Sequence, residues 1–269
     1  MIPNILSIAG SDPSGGAGIQ ADIKAISANG GYAMSVITAL TAQNTQGVRA
    51  VHLPPVDFIV EQANAVFDDI STDAVKIGML ANADITRAIT TILIERAATT
   101  PVVVDPVMIA KGGASLLDPS GVDSLITQLI PQATLLTPNL PEAAFLLGCA
   151  PAQTETEMEI QATALRTMGA NSVLLKGGHL DGQFSHDCLA TADGIDWLQA
   201  PRILTRNTHG TGCTLAATIA TNLGHGQSPA LACTNAKRYI HATIEQAHQL
   251  KVGSGHGPVH HFTESHSCH

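Results

Sequence analysis

Short, almost wholly apolar runs alternate along the chain with longer stretches whose apolar residues recur every three or four positions. Ile5-Leu6-Ser7-Ile8 stops at Gly10 and predicts a buried strand, and the helical spacing over 19–29 ends at Gly30-Gly31. A second apolar run, 34–40, precedes the loop His52-Leu53-Pro54-Pro55. Helical spacing returns over 56–70, 83–97, 122–129, 142–147 and 157–168, with strands predicted at 74–77, 101–104, 134–136 and 172–175 between these helices. The stretch 184–204 alternates weakly around Asp193-Gly194, a hairpin turn signal, and two helices over 213–223 and 229–248 close the pattern.

Continuous apolar strands interleaved with helices predict an α/β fold: a mainly parallel sheet covered on both faces and joined by right-handed crossovers. Ligands of such sheets sit beyond the carboxyl ends of the strands. The polar and glycine-rich pieces fall at those ends: Gly10-Ser11-Asp12, Gln43, Gly78-Met79, Asp105-Pro106, Asn139 and Lys176-Gly177-Gly178. With no internal repeat and no shift in composition, residues 1–269 are expected to form a single domain.

Composition narrows the function classes. Hydrophobic residues make up 45% of the chain and charged residues 13%, so a large core is expected, and not a disordered chain. Thirteen basic against 22 acidic residues give a formal charge of −9, which argues against a nucleic-acid or anionic-membrane partner. The five cysteines are scattered, without CxxC spacing, and predict neither a disulfide framework nor a thiolate zinc site. No signal peptide or membrane span is read in the sequence, and the cytoplasm is the expected compartment. Five histidines crowd 256–269 in a Gly/Ser-rich setting; about 255–269 is expected to be a flexible, solvated tail in preference to a metal-binding one.

Three pieces carry candidate chemistry. In Asn207-Thr208-His209-Gly210-Thr211-Gly212-Cys213, two glycines precede an apolar helix. Aligned N–H groups at such a turn suit an oxyanion or a transferring phosphoryl group, although a tight loop explains the same residues. Lys176 ends a hydrophobic strand, either as a phosphate-reaching point charge or as an ordinary surface lysine. Asn139 and Glu142 at a helix start can hold a hydrated Mg²⁺ or form a capping box.

Together with Ala9-Gly10-Ser11-Asp12-Pro13-Ser14-Gly15-Gly16-Ala17-Gly18, Thr41-Ala42-Gln43-Asn44, Lys76-Ile77-Gly78-Met79 and Val104-Asp105-Pro106-Val107, these pieces resemble the ribokinase-like superfamily. More narrowly they resemble its hydroxymethylpyrimidine/phosphomethylpyrimidine kinases, from about residue 3 to Pro258-Val259. The resemblance implies a three-layer αβα sandwich, a homodimer, ATP and Mg²⁺ as cofactors, and an aminopyrimidine alcohol and its phosphate as substrates. It assigns Asp22 and Gln43 to hydrogen bonds with the pyrimidine and Gly10, Met79 and Val107 to its pocket. Asp105 and Glu142 fall around the metal, and Asn139, Lys176, Thr208, His209 and Lys237 toward ATP. Catalysis falls to Lys176 and the turn Gly210, Thr211, Gly212 and Cys213; Cys213 stands where most ribokinase-like kinases carry an aspartate base. A lid is expected at Lys111-Gly112-Gly113. Pyridoxal kinase is the rival activity, and a vitamin-binding regulator without turnover is the rival of another class.

Overall fold

The structure, a computed structural model, describes residues 1–108 and 118–263. Nine strands form one sheet: β1 (Asn4–Ser11), β2 (Tyr32–Asn44), β3 (Gly47–His52), β4 (Ala74–Ile77), β5 (Val102–Val104), β6 (Leu135–Leu136), β7 (Ser172–Lys176), β8 (Phe184–Thr191) and β9 (Gly194–Pro201). Their order is β3-β2-β1-β4-β5-β6-β7-β8-β9. The six from β2 to β7 in that order are mutually parallel; β3 at one edge and β8-β9 at the other run antiparallel. The helices are α1 (Gly18–Ala28), α2 (Val56–Asp69), α3 (Ala83–Arg96), α4 (Pro119–Ser124), α5 (Leu140–Leu147), α6 (Glu155–Thr167), α7 (Thr211–Gly224) and α8 (Pro229–Glu245). A π-helical turn, Leu125–Leu129, continues α4.

Strand alternation splits the core into two layers. Leu6, Ile8, Val75, Ile77, Val102 and Val104 pack on one face with α3 and α6 residues such as Ile89 and Leu165. Ile5, Ala74, Val103, Leu135 and Leu174 pack on the other with Ile26 of α1, Ile219 of α7 and Ala236 of α8. This is the expected three-layer α/β sandwich. Every strand predicted from apolar runs is present, and β4 has the predicted bounds. The antiparallel β3 is a difference from the sequence reading: Gly47–His52 pairs back on an extended β2 although its side chains are largely exposed and carry no apolar run. Among the described residues no helix is long and apolar enough to cross a membrane.

The C-terminal segment also departs from expectation. Residues 257–261 are buried, not solvated. His260 N–H donates to the Thr243 carbonyl, Tyr239 Oη–H donates to the His261 carbonyl at 2.6 Å, and Val259 is 1% exposed. An apolar valine flanked by backbone donors and acceptors gains more from burial than from hydration. The expected lid residues Lys111-Gly112-Gly113, and His266 and His269 of the tail, lie outside the described residues.

Candidate active site

Between β1 and β4 the strand order turns back, because β2 lies on one side of β1 and β4 on the other. At such a switch point the loops beyond the carboxyl ends diverge and leave a crevice. A cavity of about 500 Å³ opens there, lined by Gly10 and Ser11 at the end of β1, Asp12 after it, Gln43 from β2, Met79 after β4, and Asp105 and Val107 after β5. Asn139, Glu142, Lys176 and the turn Thr208 to Cys213 close it on the other side. A second cavity of about 380 Å³ adjoins it and shares Asn139, Lys176, Thr208, Thr211 and Gly212. Leu215, Ile240 and Ile244 give that cavity an apolar wall, with Lys237, Ser185 and Asp187 at its polar end.

The glycine turn stands where the two cavities meet. Gly210 is the N-cap of α7 with φ +77°, and a Cβ there would lie 1.8 Å from the Gly16 carbonyl oxygen, so a side chain is excluded. The cap residue therefore offers no side-chain acceptor to the first turn of α7, whose N–H groups are placed for an anion. At Gly212 a Cβ would sit 3.3 Å from Asp105 Oδ2 and 3.4 Å from Lys176 Nζ, which brings the turn against both charged groups. Lys176 Nζ donates to Asp105 Oδ1 at 2.9 Å, and Thr137 Oγ1 donates to the same oxygen at 3.1 Å. Lys176 thus ends its strand inside the site, not at the surface.

Asn139 and Glu142 form a true capping box. Asn139 Oδ1 accepts the Glu142 N–H, and Glu142 Oε2 accepts the Asn139 N–H, each at 2.8 Å. Burial pushes the Glu142 carboxyl up to about 7, with Asp105 adding to the rise and Lys176 opposing it. A cation beside Glu142 and Asp105 relieves that cost. Among the described residues no three His, Cys, Asp or Glu cluster to hold a metal by themselves. Two carboxylates are a donor set that fits Mg²⁺.

Cys213 is half-buried at the start of α7. Burial pushes its thiol up to about 11; Lys76 and the Gly18 N–H pull it down, while Asp22 and Asp105 push it further up. The helix N-terminus alone therefore does not deliver a low-pKa thiol.

The structure brings some of the expected site residues together and not others. Asp22 does not line either cavity: it is fully buried on α1, where Oδ2 accepts Ser7 Oγ–H at 2.6 Å and Lys76 Nζ–H at 2.8 Å. It stands behind Lys76, which borders the first cavity from beneath its accessible surface. His209 belongs to the first cavity, its imidazole turned to Asp12, and does not face the second. Lys237 does line the second cavity, held by Asp187 at 2.6 Å and Ser185 at 3.3 Å. Gln43, Gly10, Met79 and Val107 converge in the first cavity. Lys76, Asp12 and Asp187 had no assigned role in the sequence reading. The available signal was a lysine inside the apolar run Ala74-Val75-Lys76-Ile77, where a charge buried on both faces of a sheet demands a partner.

A crevice at the switch point, two cavities meeting at a glycine turn, and a lysine with two carboxylates at their junction define a ribokinase-like small-molecule kinase. The phosphomethylpyrimidine kinase family model matches residues 12–260, and the chain belongs to that family. It is 51% identical to the hydroxymethylpyrimidine/phosphomethylpyrimidine kinase of Escherichia coli over 259 residues, covering 96% of this chain and 97% of that protein. Among solved structures, the phosphomethylpyrimidine kinase of Clostridium difficile superposes with a TM-score of 0.79 at 42% identity, over 90% of this chain and 99% of that one. The Staphylococcus aureus pyridoxal kinase in complex with AMP-PCP and pyridoxal superposes with a TM-score of 0.90 at 32% identity, over 99% and 96%.

Proposed function

We propose that the protein transfers the γ-phosphoryl group of ATP to the hydroxymethyl group of 4-amino-5-hydroxymethyl-2-methylpyrimidine, and a second phosphoryl group to the resulting monophosphate, in thiamine biosynthesis. One observation carries this reading: the acceptor-type cavity with Gln43, Met79 and Val107 and the apolar second cavity meet at the Gly210 to Cys213 turn. Gln43 presents an amide donor beside an acceptor, which matches an aminopyrimidine edge, and Met79 and Val107 give the ring apolar faces. The nucleotide base fits against Leu215, Ile240 and Ile244, with its phosphates directed to Lys176 and the turn.

In this arrangement the turn N–H groups stabilise charge on the transferring phosphoryl group, and Lys176 holds its oxygens. Cys213 takes up the proton of the acceptor hydroxyl. Asp105 and Glu142 would hold Mg²⁺, which would supply charge neutralisation for the nucleotide phosphates. The protein is proposed to act as a cytoplasmic homodimer; the exposed edge strand β3, with exposed Val51 in it and exposed Leu40 paired to it, supports a self-association surface. Incubation with ATP, Mg²⁺ and the pyrimidine, with products resolved by mass spectrometry, should yield the mono- and then the diphosphate. Absence of both products sinks the reading. A higher kcat/KM for pyridoxal than for the pyrimidine transfers it to the rival activity.

A further inference from the structure

Lys76 is a lysine without solvent exposure in the middle of a parallel sheet. Alternation along β4 puts residues 74 and 76 on the face covered by α1 and α7. Its side chain runs along the strand toward the carboxyl end, so a Cβ at Gly78 would meet Lys76 Nζ at 2.8 Å. Glycine at 78 is what leaves room for the ammonium. There Nζ donates to Asp22 Oδ2 at 2.8 Å, and Ser7 Oγ–H donates to the same oxygen. Asp22 Oδ1 is buried with no hydrogen-bond partner among the described residues. A lysine and an aspartate in the core cost desolvation that a hydrophobic pair of the same volume avoids, so the pair is poorly explained by stability.

Lys76 and Cys213 both border the first cavity, Lys76 from beneath its accessible surface. The charged groups that act on Cys213 come from four elements: Lys76 of β4, Asp22 of α1, Asp105 after β5 and Lys176 of β7. Asp22 and Asp105 oppose negative charge on the sulfur, whereas Lys76 favours it more strongly than the Gly18 N–H does. Asp22, Cys213 and Asp105 in turn keep Lys76 protonated, above the usual lysine range despite burial.

We propose that Lys76 is a positioning residue for phosphoryl transfer: a permanently charged ammonium, clamped by Asp22 and seated under Gly78, that stabilises the negative charge passing between the acceptor oxygen and Cys213. The step runs through the small fraction of molecules in which Cys213 is a thiolate. The acceptor O–H proton moves to its sulfur as the oxygen bonds to the γ-phosphorus, and the bond from that phosphorus to the bridging oxygen breaks, ADP leaving with the electron pair. Lys76 would thus supply, by charge, what a carboxylate at position 213 supplies by basicity. The inference deepens the kinase reading and rests on it.

The test uses the full chain with Lys76→Met, and with Asp22→Asn/Lys76→Met so that no buried charge is left alone if the single variant does not fold. The readouts are kcat, KM for pyrimidine and ATP, and the rate at which iodoacetamide alkylates Cys213 at pH 8, followed on its peptide by mass spectrometry. Both variants are expected to lose about 100-fold or more in kcat, with both KM values held within about threefold. Alkylation should slow about tenfold. Gly78→Ala, which keeps both charges but displaces the ammonium, should show a smaller loss of the same kind. A double variant that folds and retains kcat and alkylation within threefold of the parent overturns the proposal, as does a loss confined to KM. A parent without turnover on the pyrimidine refutes the kinase reading separately, and the alkylation rates still decide for or against Lys76.

Discussion

His209 Nε2 lies 2.7 Å from Asp12 Oδ2, so the loop after β1 and the turn before α7, 197 residues apart, are locked together across the first cavity. The same carboxylate accepts the Ser14 and Ala17 N–H groups and the Ser14 hydroxyl. These contacts hold the Asp12 carboxyl below its usual range although burial pushes the other way. Asp12→Ala is expected to cost about 1–3 kcal/mol of stability, read by urea unfolding. His209→Gln should raise KM for the pyrimidine more than KM for ATP, since the ring faces the acceptor cavity. A selective rise in KM for ATP returns His209 to the nucleotide.

Cys213→Ala and Cys213→Ser are expected to lower kcat by about 10²-fold or more. With the free thiol near 11, kcat/KM of the parent should climb with pH from 7 to 10, because the thiolate fraction rises, and the climb should vanish in the alanine variant. Steady-state kinetics across that range decides it. Near-parent kcat in both variants would remove the thiol from catalysis.

Glu142 carries a second pH signature. Its folded pKa of about 7 exceeds the ordinary value of 4.5, so the folded state holds the proton more tightly. That contribution to stability is fully present below about 4.5 and is lost as pH rises through 7. Glu142→Gln keeps the capping box but removes the charge. At pH 8, without metal or nucleotide, its Tm should equal or exceed that of the parent, while the Mg²⁺ concentration for half-maximal activity rises about tenfold or more. A lower Tm with unchanged Mg²⁺ dependence would make Glu142 a cap and nothing further.

The C-terminal segment should matter to catalysis through α7. His261 Nε2 and Thr214 Oγ1 share a hydrogen bond of 2.9 Å, one residue after Cys213. Removing residues 255–269 is expected to cost about 3 kcal/mol or more and lower Tm by about 5 °C or more, given the buried Val259. Burial draws His261 down to about 4, with Lys24 and His260 adding to the shift. Its folded pKa is below the unfolded one, so the associated stability is present above about 6.5 and is lost as pH falls toward 4. Tm should therefore fall less between pH 7 and 5 in His261→Gln than in the parent. Equal slopes would show that the buried imidazole does not carry the acid sensitivity.

The sandwich was readable from the chain because its signal is local. A parallel strand buried on both faces must be apolar throughout, and Pro101 to Val104 or Ser172 to Leu175 can be little else. The hairpin partner β3 left no such mark: Gly47–His52 is exposed, and pairing with an already formed β2 is what makes it a strand. The placement of Gln43, Lys176 and the Gly210 turn at strand ends was likewise visible, because motif and strand end are adjacent in sequence.

What the chain determined by itself was the layering, the position of the site at the carboxyl ends and the family to which its motifs belong. Charge partnership was decided only in three dimensions. Asp22 looks like a helix carboxylate and Lys76 like an intrusion in a strand until the folded sheet brings the two side chains together and gives each its counter-ion at 2.8 Å. His209 and Asp12, or Thr214 and His261, meet for the same reason. A buried charge or ring nitrogen must be satisfied by whatever the packed layers bring near, and no spacing along the chain encodes that neighbour.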